Sequence, residues 1–116
     1  MISPRWRPRL GWAAERDLVD IVQWTRDRFG AEQARRYRAI LLAAIRALGD
    51  GPDILGARDI SDIHPGAKIL HAARGGRKAR HFLLYKTSGR DRIVIGRILH
   101  DAMDIERHIP ADDGWD

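Results

Sequence analysis

The sequence predicts an α+β domain: an N-terminal antiparallel helix hairpin packed on an antiparallel sheet of three to four strands, closed by a short C-terminal helix. Three observations predict it. In the first half, apolar residues recur at three- and four-residue spacing, the period of a helix that buries one face. In the second half they gather in short runs rich in Ile, Leu, Val, Phe and Tyr, separated by Gly-containing turns, as strands do. A length of 116 residues suits one domain with a modest core, so residues 1–116 read as a single unit.

Leu18, Ile21, Val22, Thr25 and Phe29 form the stripe of a first helix over Trp12 to Phe29. Glu15, Asp17 and Asp20 lie towards its start and Arg26 and Arg28 near its end, the order that complements a helix dipole. Gly30 stops it. Ala34, Tyr37, Leu41, Ala44, Ile45 and Leu48 are the stripe of a second helix, ended by Gly49-Asp50-Gly51-Pro52. So short a connection forces the two helices to fold back on each other. Residues 53–67 carry Gly, Pro and Asp and read as a loop. Strands are expected over Lys68–Ala73, His81–Thr87 and Arg92–Leu99, the last two joined by a tight hairpin at Ser88–Asp91. Arg5–Leu10 is a candidate further strand, confined to a sheet edge by Pro4 and Pro8. Met103–Ile109 is expected to form the closing helix, N-capped by Asp104, with Arg107 and His108 in its last turn. Residues 1–4 and 111–116 are expected to be mobile, although Trp115 is out of character in such a tail.

Composition excludes several classes. With 44% hydrophobic and 32% charged residues the chain reads as globular. No apolar run approaches the ~18 residues of a membrane span, and the N-terminus has no signal-peptide pattern, so a cytoplasmic protein is expected. There is no cysteine, hence no disulfide or thiolate chemistry. The five histidines show no metal-ligand spacing, and no metal or cofactor is expected. Charge is unevenly spread: residues 68–97 hold nine Lys and Arg against one acid, Asp91. Such a segment faces solvent, nucleic acid or an acidic protein partner.

Phe82-Leu83-Leu84-Tyr85 is apolar on both faces of its strand. In the next strand Ile93, Ile95 and Leu99 are expected to point one way, Val94 and Ile98 the other. Strands buried on both sides need two covering layers, and one helix hairpin supplies a single layer. The second face therefore requires the chain's own 102–109 segment, a second copy, or a partner laid on the sheet.

Several stretches resemble the ParE branch of the RelE/ParE toxin–antitoxin superfamily. Ala14-Glu15-Arg16-Asp17-Leu18-Val19-Asp20-Ile21 is similar to its first helix, and Arg28-Phe29-Gly30 with Ala34, Tyr37, Leu41 and Leu48 to its turn and second helix. Arg80-His81-Phe82-Leu83-Leu84-Tyr85-Lys86 resembles its central strand. The most specific stretch is Leu99-His100-Asp101-Ala102-Met103-Asp104-Ile105-Glu106-Arg107-His108, which resembles the ending found in ParE toxins. The resemblance spans roughly residues 12 to 109, with a longer Arg74–Ala79 connection than usual and a 54–67 loop that is not Arg-rich.

The resemblance implies a toxin that binds and inhibits DNA gyrase and is not itself an enzyme. It also implies a ParD-like antitoxin with an acidic amphipathic tail, bound as a hetero-oligomer, and contact with DNA only through that antitoxin. On this reading Arg97, His100, Asp104 and Arg107 are the candidate target contacts. Trp24, Tyr37, Arg80, Phe82 and Leu84 are the candidate antitoxin contacts. The RelE branch instead cleaves mRNA on the ribosome, which requires acid, base and charge-stabilising groups. Arg80, Lys86, Arg97 and His100 would qualify, but no Tyr follows residue 85 and Glu106 is the only Glu after residue 32. A third reading is a non-toxic nucleic-acid-binding module using the Arg74–Arg80 cluster, which has no aromatic residue beside its cations.

Overall fold

The computed structural model describes residues 5–116, the side chain of Asp113 excepted; the expectation for residues 1–4 falls outside them. Helix α1 runs Trp12–Phe29 and α2 Ala31–Ala47, separated by Gly30 alone. Gly30 adopts φ +94°, a conformation costly for any residue with a Cβ. Its N–H closes α1 on the Arg26 carbonyl and its carbonyl opens α2 by accepting from Ala34 N–H. The hairpin and its stripe are as expected, with Leu41, Ala44, Ile45 and Leu48 buried. Phe29, at the very end of α1, overhangs the core and is 64% exposed.

The sheet has five strands in the order β1-β5-β4-β3-β2: β1 Arg7–Leu10, β2 Arg58–Asp59, β3 Lys68–His71, β4 His81–Ser88 and β5 Arg92–His100. Its central pairs are antiparallel, as the hairpin signals predict. Two details correct the expected three- to four-stranded antiparallel sheet. The short strand β2 lies inside the stretch read as loop and pairs with β3. The edge strand β1 joins β5 in parallel, with Arg7 opposite Arg92 and Leu10 opposite Ile95. Side-chain alternation is the same for both strand directions, so the pattern carried no information on this point.

Each face of the sheet has its own core. Leu70, Leu83, Tyr85, Ile93, Ile95 and Ile98 pack under the helices. Phe82, Leu84, Val94 and Leu99 pack on the opposite face with Ile60, Ala67 and Trp115, bordered by Ile63, Ile69, Ile105 and Ile109. The second layer is thus the chain's own loop 60–67 and its C-terminal segment, and no partner is required to cover the sheet. Phe82 and Leu84, expected as antitoxin contacts, are 5% and 0% exposed beneath this layer. Ile98 and Leu99 also exchange the faces expected for them. Leu84 lies opposite Arg97 and Tyr85 opposite Ile95, so Gly96 is an extra residue, and a bulge of this kind inverts the alternation beyond it.

The bulge also seats the tail. A Cβ on Gly96 would lie 2.6 Å from two ring carbons of Trp115 and 2.9 Å from Pro110 Cγ, so only glycine fits. The tail expected to be mobile instead forms a 3-10 turn over Asp112–Trp115, with Trp115 4% exposed. The closing helix is likewise a 3-10 turn, Ile105–His108, and Asp104 caps it by accepting from Glu106 N–H.

One carboxylate ties these layers together. Strand β1 ends opposite Ile95, leaving the rest of β5 without a strand on that side. Asp17 of α1 accepts the Ile98 N–H at 2.9 Å, and takes Arg97 through Nε at 2.7 Å and Nη2 at 3.0 Å. The third nitrogen of Arg97, Nη1, reaches the His108 carbonyl at 3.3 Å. Asp17→Asn weakens the guanidinium pair and removes an acceptor, so it is expected to lower stability by about 2–3 kcal/mol in urea unfolding. Arg97→Met added to Asp17→Asn is expected to cost less than it does alone, giving a coupling of about 1–3 kcal/mol in a double-mutant cycle. Strict additivity would contradict this account.

Candidate functional site: an aromatic and cationic groove

An open groove of about 560 Å³ lies where the Gly30 end of the hairpin meets the ends of β4 and β5. Trp24, Phe29, Tyr37 and Ile40 form its apolar wall, Lys78 and Arg80 its cationic rim, and His81 and His100 its floor. Trp24 is 53% exposed, so the two large aromatics at the end of α1 are offered to solvent rather than to the core. Their rings meet edge-on at 5.9 Å, and the Arg28 guanidinium stands 5.2 Å from the Trp24 ring centre. A second depression, lined by Asp17, Met103 and Leu99, shares Trp24, His81 and His100 with the first.

The floor is a hydrogen-bonded relay. The Arg80 N–H donates to the Tyr37 hydroxyl at 2.9 Å, leaving the phenolic proton to donate to His81 Nδ1 at 2.6 Å. That arrangement suits a neutral His81. Burial, reinforced by His100 nearby, pushes its pKa down to about 4. Burial also raises the Tyr37 hydroxyl. The His100 ring meets His81 edge-on at 5.4 Å, and its Nδ1 accepts from Ala102 N–H, the strand-ending role that its position suggests. Beyond it Asp101 accepts from His71 Nε2 at 3.0 Å and faces Arg80 Nε at 3.5 Å. The His71 hydrogen bond, above all, holds the Asp101 carboxyl below the usual range.

Of the residues expected to contact an antitoxin, Trp24, Tyr37 and Arg80 converge on this groove, while Phe82 and Leu84 lie buried on the other face. The expected target contacts fall into two pairs: Arg97 and His100 both line the second depression, while Asp104 and Arg107 are not part of it. His100 floors the groove, whereas Asp104 and Arg107 lie on the exposed 3-10 turn, 3.7 Å apart. Arg97 is turned inward to Asp17, so it holds the C-terminal segment in place. Sequence reasoning missed Phe29, Ile40, Lys78 and His81 as groove residues. Phe29 carried a signal, being an aromatic directly before the glycine that ends its helix. Among the described residues no group of three or more His, Asp or Glu side chains is placed to hold a metal ion, and no helix is long and apolar enough to cross a membrane.

The groove is equipped for binding. The Tyr37 hydroxyl is bonded on two sides, to His81 Nδ1 and to the Arg80 N–H, which fixes its orientation in the groove. Tyr85, the other tyrosine, is buried and donates to the Pro52 carbonyl at 2.7 Å, its pKa pushed up to about 12 by burial. The depressed pKa of His81 has a consequence for stability. Between pH 6.5 and about 4 the unfolded chain protonates this histidine and the folded chain resists, so folding weakens as pH falls through that window. His81→Asn is expected to flatten the fall of melting temperature between pH 6.5 and 4. An unchanged slope would mean that His81 is not held neutral.

The sequence that builds this geometry is similar to those of known proteins. A family model described as the ParE toxin of type II toxin–antitoxin systems, parDE, matches residues 9–105. Toxin ParE1 of Mycobacterium tuberculosis, from strains CDC 1551 / Oshkosh and ATCC 25618 / H37Rv, is 34% identical over 97 residues, covering 84% of this chain and 91% of its own length. Toxin ParE of Escherichia coli is 34% identical over 94 residues, covering 79% and 82% respectively. The matched region contains both helices, strands β2 to β5, the second half of β1 and every residue of the groove. On that match the chain belongs to the ParE toxin family of type II toxin–antitoxin systems.

Proposed function

We propose that this toxin arrests growth by binding DNA gyrase in the cytoplasm, acting as an inhibitor rather than an enzyme, and that a ParD-like antitoxin neutralises it. The antitoxin's acidic amphipathic segment lies in the groove of Trp24, Phe29, Tyr37 and Arg80. What supports this reading is the groove itself: exposed aromatics beside cations, on a molecule whose sheet already has both faces covered. An amphipathic helix places apolar side chains against the Trp24–Phe29 wall and carboxylates against Lys78 and Arg80. Ordering of the segment occurs on binding, and DNA is reached only through the antitoxin of the hetero-oligomer.

Gyrase contact is assigned to the exposed C-terminal turn, with Asp104 and Arg107 touching the target there, His100 reaching it from the end of β5, and Arg97 fixing the turn that carries Asp104 and Arg107.

Trp24→Ala is expected to weaken antitoxin binding at least thirtyfold by calorimetry, the loss of about 2 kcal/mol usual for a buried interface tryptophan. Arg80→Glu is expected to weaken it further and to abolish antidote action in co-expressing cells. Arg107→Glu is expected to relieve inhibition of gyrase supercoiling in vitro while leaving antitoxin affinity within threefold. Induced expression of the unaltered chain should give filamentation and DNA damage. Loss of mRNA with intact DNA would instead point to ribosome-dependent cleavage.

A further inference from the structure

The family match ends at residue 105, yet the chain beyond it ends in a side chain built into the sheet. The Trp115 ring lies over Gly96, with Pro110 beside it. Lys86 Nζ stands 4.4 Å from the ring centre, and His64 stacks on the ring at 5.6 Å and 20°. A bare glycine floor, a cation and a stacking ring make a socket shaped for an indole. Beyond this packing, the tail backbone abuts Gly11, where a Cβ would lie 2.5 Å from the Gly114 oxygen, and few hydrogen bonds are added among the described residues. The Gly114 N–H bonds within it, to the Ala111 carbonyl, and from the body Arg9 Nη1 reaches the main-chain oxygen of Asp116 at 3.2 Å.

The seat is also incomplete. Trp115 Nε1 is buried and has no hydrogen-bond partner among the described residues. A buried donor without an acceptor is a cost that a better-matched chain segment, bringing a carbonyl oxygen, would remove. The surroundings favour acids. Arg92 lies opposite Arg7 in the β1–β5 register, Arg7 being ion-paired to Asp91 at 3.6 Å, Arg9 lies two residues on, and the tail's own contribution includes Asp112 and Asp116.

We propose that the Trp115 seat is an exchangeable peptide-binding socket: residues 111–116 occupy it as an intramolecular plug, and an acidic, tryptophan-bearing segment of a partner protein takes their place. This socket lies on the opposite face of the sheet from the Trp24–Arg80 groove, so it stands whether or not the antitoxin binds there. Exchange uncovers the apolar positions of Phe82, Leu84 and Val94 to the incoming segment.

The full chain carrying Trp115→Ala vacates the socket, and fluorescein-labelled acetyl-Ala-Asp-Asp-Gly-Trp-Asp, the sequence of the tail, is the probe. Fluorescence polarisation is expected to show saturable binding at least tenfold tighter than to the unaltered chain, lost when alanine replaces the probe's tryptophan. A difference below tenfold, or no saturable binding by a variant that still melts cooperatively, overturns the proposal. Should Trp115→Ala fail to fold, hydrogen exchange of the Trp115 indole N–H in the unaltered chain decides. Exchange faster than that of the Leu83 amide in the central strand marks a plug that opens locally, whereas exchange only at the rate of global unfolding overturns it.

Discussion

The Asp17 carboxylate stands in for a strand that the sheet lacks. Strand β1 is four residues long and covers only the first half of β5. The chain must then leave the sheet plane, and it does so at Gly11, whose N–H still bonds to Ile95 before α1 begins at Trp12. The helix therefore crosses the open half of β5, and its second turn brings Asp17 to the unpaired Ile98 N–H. An exposed edge N–H invites pairing with another chain, so a side-chain acceptor there serves both stability and solubility. Arg97 makes the carboxylate tolerable in a half-buried position and extends the tie to the His108 carbonyl.

From that tie follows the division of the molecule into two cores. With the turn after β5 held against the helix side, the remaining residues return across the opposite face, where Ile105, Ile109 and Trp115 complete the layer begun by Ile60 and Ala67. Apolar surface that remains available is then confined to the margins. The most coherent part is the Gly30 end of the hairpin, where Trp24 and Phe29 project past the sheet. A toxin that must be held by an antitoxin and still reach a target needs recognisable surface without an unstable sheet. Covering the sheet internally and leaving a rim of aromatics satisfies both requirements.

The cations are sorted in the same way. Of the basic stretch, Arg97 pairs with Asp17, Lys68 with Asp53 and Asp59, and Arg80 with Asp101, while Lys86 covers the Trp115 ring. Arg77, Lys78, Arg90 and Arg92 make no ion pair among the described residues. Part of an apparently nucleic-acid-like charge run is thus engaged by the chain's own side chains, with Arg80 still exposed at the groove rim. Lys78 borders the groove and Arg92 lies at the β1–β5 edge, so the free charge that remains is divided between two surfaces.

Periodicity made the helices, the three long strands and the two-sided burial of β4 and β5 legible, because each depends on spacing along the chain and on burial alone. The Asp104 cap and the strand-ending role of His100 were legible for the same reason, being contacts over two residues. Three features were not. The parallel sense of β1 leaves no trace in alternation, since both directions present side chains identically. The bulge at Gly96 depends on the register between two strands, so Ile98 and Leu99 read on the wrong faces until β4 and β5 were paired. The seat of Trp115 brings residue 115 to residues 64, 86 and 96, contacts that no local pattern encodes. Of the groove, Trp24, Tyr37 and Arg80 could be named from residue type, but their meeting with His81 required the hairpin to be folded onto the sheet. Local spacing determines which residues are buried; packing between distant segments determines which of them face each other.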